Sequence, residues 1–153
     1  MKRRELPPDD VARAIVVLAK PFDEYRISAA KEAVAAQLSH DDAWVRHEAV
    51  WFLGSWARLH EYKSAILNVM EHDPDADNRG YAASCIGVLA RGSHDQESVE
   101  HLKTLLMNDH EDPLIRQYAF RSLLQVAGDE RGDIYSPHDQ ALTDADWQWV
   151  KQL

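Results

Sequence analysis

Three stretches of this chain repeat one pattern, and that pattern limits the fold more than any other feature. They are Asp42-Ala43-Trp44-Val45-Arg46-His47-Glu48-Ala49-Val50-Trp51-Phe52-Leu53-Gly54, Asp75-Ala76-Asp77-Asn78-Arg79-Gly80-Tyr81-Ala82-Ala83-Ser84-Cys85-Ile86-Gly87, and Asp112-Pro113-Leu114-Ile115-Arg116-Gln117-Tyr118-Ala119-Phe120-Arg121-Ser122-Leu123-Leu124. Each opens on Asp, carries Arg four residues later, Ala three after that and a large aliphatic residue four further on. The arginines stand 33 and 37 residues apart. A period in this range marks stacked supersecondary units, none of which can bury its apolar face alone.

Each copy predicts a helix. The Asp side chain can accept the free N–H groups of the first turn, and Pro113 suits the first helical position, where no N–H is needed. Steps of 100° gather Val45, Ala49, Val50, Leu53, Trp56 and Ala57 on one face. Ala82, Ala83, Ile86, Leu89 and Ala90 share that face in the second copy, and Ile115, Ala119, Phe120, Leu123, Val126 and Ala127 in the third. A second helical stretch precedes each copy, at residues 25–38, 61–70 and 97–107, joined to it by a short turn rich in His and Asp. Period-two alternation is missing, so no strand is expected.

The segments Asp73-Pro74-Asp75-Ala76-Asp77-Asn78-Arg79 and Val45-Arg46-His47-Glu48-Ala49-Val50-Trp51-Phe52-Leu53-Gly54 resemble the HEAT-repeat family, including its short bacterial form related to phycobilisome-lyase repeats. The resemblance covers residues 25–128. It implies an all-α, right-handed α-solenoid of about three antiparallel helix pairs, whose second helices line a concave side. The expected organisation is a single domain over 1–153. It comprises an N-terminal capping helix within 1–22, repeats over 23–128, a polar loop over 129–142 and a C-terminal capping helix over 143–153. The last helix is expected to start at a Thr143 cap and to turn Trp147 and Val150 inward.

Composition narrows the function. The net charge of −9 disfavours a phosphate-binding surface, so no nucleic acid is expected and a basic protein partner is. The single cysteine, Cys85, cannot form an intramolecular disulfide, and it fits a reducing, cytoplasmic setting. No targeting signal or membrane span is read, the apolar run 15–19 being too short to cross a bilayer. No Gly-x-Ser-x-Gly elbow or phosphate-cradling Gly-Lys-Ser/Thr loop occurs.

The repeated arginines are read as structural, each pairing with an Asp of a neighbouring repeat. His47-Glu48 resembles the metal-binding dipeptide of deoxyhypusine hydroxylase, a HEAT-repeat di-iron enzyme. That family needs several such pairs, and the matching positions here are Gly80-Tyr81 and Gln117-Tyr118. The turn residues His40, Asp41, His72, Asp109 and His110 lack a known ligand spacing. No metal, cofactor or catalytic residue is therefore expected, and the chain is read as a non-enzyme. A metal-dependent enzyme or a nucleic-acid binder is the alternative, and HEAT-like DNA glycosylases would need a basic groove.

Opposite the core face lie Trp44, His47, Glu48, Trp51, Ser55 and Arg58, then Asp77, Gly80, Tyr81, Ser84 and Val88, then Leu114, Gln117, Tyr118, Arg121 and Gln125. Trp, Tyr and Arg dominate binding hot spots. The expected partner-binding set is Trp44, His47, Glu48, Trp51, Tyr81, Ser84, Gln117, Tyr118 and Arg121, on a monomer or weak dimer. An inhibitor or immunity protein masking a basic toxin is one form such a binder takes.

Overall fold

The computed structural model describes residues 6–20 and 24–153. The basic start of the chain and the break at 21–23, between the expected cap and first pair, lie outside the described residues. The chain is all-helical, at 72% helix, and no strand occurs among the described residues. No helix there is long and apolar enough to cross a membrane.

Helix α1 spans Pro8–Leu18 and α2 Glu24–Ala35, the latter ending in a 3₁₀ turn, Ala36–Ser39. Helix α3, Ala43–Val50, runs on into a π-helical turn, Trp51–Trp56. A 3₁₀ turn at His60–Tyr62 leads into α4, Lys63–His72. Then follow α5 (Ala76–Leu89), α6 (Gln96–Met107), α7 (Pro113–Val126), α8 (Arg131–Ile134) and α9 (Asp144–Val150).

The repeated aspartates do what their spacing predicts. Asp42 accepts from the Trp44 and Val45 amides, Asp75 from Asn78 and Asp112 from Leu114, each satisfying N–H groups that a helix start leaves bare. Helices α1, α3, α5 and α7 pack in succession, while α4 packs on α5 and α6 on α7. One core runs between the rows. Val45, Ala49, Val50, Leu53, Ala82, Ala83, Ile86, Leu89, Ala90, Ile115, Ala119, Phe120, Leu123 and Val126 are all buried in it.

Phase fails at the end of α3, and Ala127, also expected in the core, is only partly buried at the end of α7. Trp56 and Ala57, expected in the core, are only partly buried, and Phe52 is fully buried instead. The cause at α3 is the π turn. Ala57 N–H reaches back five residues to Phe52 O at 2.9 Å, so 100° steps no longer hold past Trp51, whose own N–H still bonds back to His47 and Glu48 O. Arg58 then takes a left-handed φ of 51° to end the helix.

A ladder of arginines ties the turns. Arg46 grips Asp73 with Nε–Oδ2 at 2.7 Å and Nη2–Oδ1 at 2.8 Å, while its Nη1 donates to the His40 and Asp41 carbonyls. Arg79 grips Glu111 in the same bidentate way, both contacts 2.7 Å, so glutamate stands where an aspartate was expected. The third rung departs from the expectation: Arg116 bonds Leu106 O at 2.7 Å and lies 3.2 Å from Asp109, within its own repeat. Among the described residues no carboxylate of a later turn pairs with it.

The expected loop at 129–142 is corrected in part. Arg131–Ile134 forms one helical turn, and Tyr135 is buried with its ring edge-on to Phe120 at 5.1 Å and its hydroxyl donating to Gln140 O. Arg131 holds Asp129 and Asp146 and lies 5.2 Å from the Trp149 ring. Thr143 caps α9 as expected and, with Asp146, forms a capping box. Val150 is buried, and Trp147, partly buried, faces Arg116 at 6.0 Å.

Candidate functional site

The face of α3, α5 and α7 opposite the core carries the expected binding residues. On α3 the stripe Trp44–Glu48–Trp51 follows helical spacing of four and three, so the three side chains line one edge. Trp44 is 46% exposed, and its indole Nε1–H donates to Glu48 Oε1 at 2.9 Å. Trp51 is half-buried, its ring tilted against Trp56 at 6.3 Å between centroids.

His47 sits between the two helices. Its ring lies 4.4 Å from Tyr81, and its Nδ1 is 3.3 Å from Asn78 Oδ1. Asn78 Nδ2 donates to Ala43 O at 2.9 Å, which turns its Oδ1 to His47 and makes Nδ1 the protonated ring nitrogen. Asn78, 3% exposed, is a functional neighbour that the sequence reading left out. The one signal for it was a polar residue at the register that Val45 and Ile115 fill in the other copies.

Tyr81 extends the site inward. Its hydroxyl donates to Ser55 Oγ at 3.3 Å, and Ser55 lies 3.2 Å from Cys85 Sγ. Burial raises the Tyr81 hydroxyl above its ordinary pKa, and burial pushes the Cys85 thiol up to about 11. That thiol is fully buried and packs as a small apolar group. Ser84 donates to Gly80 O, within its own helix.

At α7 the face is already occupied. Tyr118 Oη and His138 Nε2 share a hydrogen bond at 2.8 Å, with the rings edge-on. The Gln117 amide points at the Pro137 and Gln140 carbonyls, the latter at 2.6 Å. Arg121 Nε donates to Gly132 O at 3.3 Å. So Trp44, His47, Glu48, Trp51, Tyr81 and Ser84 gather over α3 and α5, while Gln117, Tyr118 and Arg121 meet the chain's own 132–140 segment. Two residues expected on the surface are buried. Gly80 lets Ile115 and Tyr118 close onto α5, and Gln125 bonds Gly132 O. His138 had no signal in the sequence, because its contact crosses 20 residues.

The turn histidines do not converge. His40 Nδ1 accepts from the Asp42 amide at 3.0 Å, and His72 turns back to Asn68 O. Among the described residues no group of three or more His, Cys, Asp or Glu side chains is placed to hold a metal ion. Compared with protein-family models, with curated proteins and with solved structures, the chain matches none of them.

Proposed function

We propose that this chain is a non-catalytic protein-binding module, built as a right-handed HEAT-like solenoid of about three helix pairs, that engages a basic protein through the face of α3 and α5. The successive packing of α1, α3, α5 and α7 with α4 and α6 behind them supports the solenoid reading. One observation carries the functional reading. Trp44, Trp51 and Tyr81 lie partly exposed along one face beside Glu48 and Asp77, and no described lysine or arginine pairs with either carboxylate. Large aromatics left at a surface next to unpaired charge are what an interface core and its steering rim require. The 132–140 segment covers the α7 end, so the partner meets the first two copies of the pattern.

Affinity capture from the native host, read by mass spectrometry, tests the proposal. A specifically captured protein should be basic, and Trp51→Ala or Tyr81→Ala should weaken its binding at least tenfold, the loss expected of interface anchors worth about 2 kcal/mol. Lys103→Ala on α6 should leave it unchanged. Loss on Lys103→Ala with both aromatic variants still binding would move the interface off this face.

A further inference from the structure

We infer that the Trp44–Glu48–Trp51 stripe is the seat of an arginine side chain presented by the basic partner. The inference rests on the binding-module reading and narrows it to one contact. Several carboxylates on the outer helices and at the turns are held by cations of this chain. Glu61 meets Lys31, Asp95 and Glu97 share Lys63, and Asp73 and Glu111 are gripped by the ladder arginines. Glu48 differs. Its Oε1 is held at 2.9 Å by a neutral indole N–H, which orients the carboxylate without neutralising it.

Aromatic rings flank that oriented charge one helical turn away on each side, Trp44 before it and Trp51 after it. A planar guanidinium can ion-pair with the carboxylate while stacking on an indole face, and an ammonium can do only the first well. Trp faces are the strongest cation–π partners. Asp77, exposed on the first turn of α5, adds further negative charge, and no described lysine or arginine pairs with it. The seat is preorganised, because Trp44 and Glu48 already fix one another, so little side-chain freedom remains to be lost on binding.

The test is a titration of the whole ¹⁵N-labelled chain with an acetylated, amidated hexa-arginine peptide at about 150 mM salt, where long-range attraction is screened beyond roughly 8 Å. The indole N–H signals of Trp44 and Trp51 should move saturably, ahead of those of Trp147 and Trp149. Glu48→Gln should raise the half-saturation concentration about fivefold, the scale of one exposed ion pair. Trp44→Phe, which keeps a ring but frees the carboxylate, should raise it about threefold, and hexa-lysine should bind more weakly than hexa-arginine. Glu100→Gln removes the same charge from α6 and should change it less than twofold. Equal losses from Glu48→Gln and Glu100→Gln would reduce the binding to diffuse attraction by the −9 charge and overturn the seat. So would saturation without movement of the Trp44 and Trp51 signals. If a captured partner still depends on Trp51 and Tyr81 while hexa-arginine ignores Glu48, the arginine seat falls and the module stands. If hexa-arginine seats on Glu48 but captured proteins ignore both aromatic variants, the module reading falls.

Discussion

Removing Arg46 should cost the protein about 3 kcal/mol at neutral pH and much less in acid. Asp73 is 6% exposed and Arg46 7%, so the pair is screened weakly. Truncating one partner of a buried pair leaves the other charge desolvated and costs 3–5 kcal/mol, and the lower figure suits a pair at a turn edge. The Arg46→Met variant keeps the packing of the stem and loses the guanidinium. Burial pushes the Asp73 carboxyl up, but hydrogen bonds from Arg46, the Asp75 amide and Asn78 outweigh it and hold the group below its ordinary range. A depressed carboxylate stabilises the fold above the unfolded pKa of about 3.9 and loses that contribution as pH falls through the folded value. Without Arg46 the burial effect dominates, Asp73 rises above the unfolded value, and protonation relieves the variant. The gap between wild type and variant should therefore be full at pH 7, begin to shrink as pH falls through the variant's raised Asp73 value, above about 3.9, and go on shrinking until the wild-type carboxyl protonates. Urea unfolding followed by circular dichroism at pH 7 and near pH 3 measures it, and thermal unfolding at pH 7 should show a melting shift of roughly 6–12 °C for a chain of this size. A gap that is equal at both pH values, or below about 1 kcal/mol at pH 7, refutes the reasoning.

Arg58 and His94 hold left-handed φ values of 51° and 54° while exposed. Arg58→Gly and His94→Gly should each stabilise by about 0.5–1 kcal/mol in the same urea assay. Gly87→Ala should destabilise by about 2 kcal/mol despite better helix propensity, because its Cβ would lie 2.8 Å from Ser122 Oγ and 2.9 Å from Ser122 Cα, forcing α5 from α7. Leu53→Ala, Ile86→Ala and Leu123→Ala should each cost about 2–5 kcal/mol, against less than about 1 for the exposed Trp44→Ala. With its thiol raised to about 11 and fully buried, Cys85 should resist Ellman's reagent at pH 8 in the folded protein and react within minutes in urea.

The helix starts were legible because an Asp cap acts on residues two and three positions away, and the sequence displays both. The core faces of α5 and α7 were legible for the same reason, since 3.6 periodicity holds along each. Nothing local announces the π turn at Trp51–Trp56, so the phase of Phe52 and Trp56 could not be read. The rungs were half legible. An acidic partner for Arg46 and Arg79 followed from the repeat, but which carboxylate answers depends on how the turns stack, and Arg116 meets Asp109 of its own repeat instead. Least legible was the α7 end of the candidate face. Tyr118 shows the helical phase of an exposed aromatic, and only the return of the 132–140 segment across it reveals its use.

The arginine ladder also sets an order of events during synthesis. Arg46 is made 27 residues before Asp73, and Arg79 32 residues before Glu111. At 5–20 residues per second, each guanidinium waits roughly 1–6 s for its carboxylate. Until then the newest helix pair carries an unanswered positive charge at its turn, and the next outer helix must arrive before that pair is locked. The nascent chain is thus closed one turn at a time from its N-terminus, each new turn acting as the latch for the repeat before it.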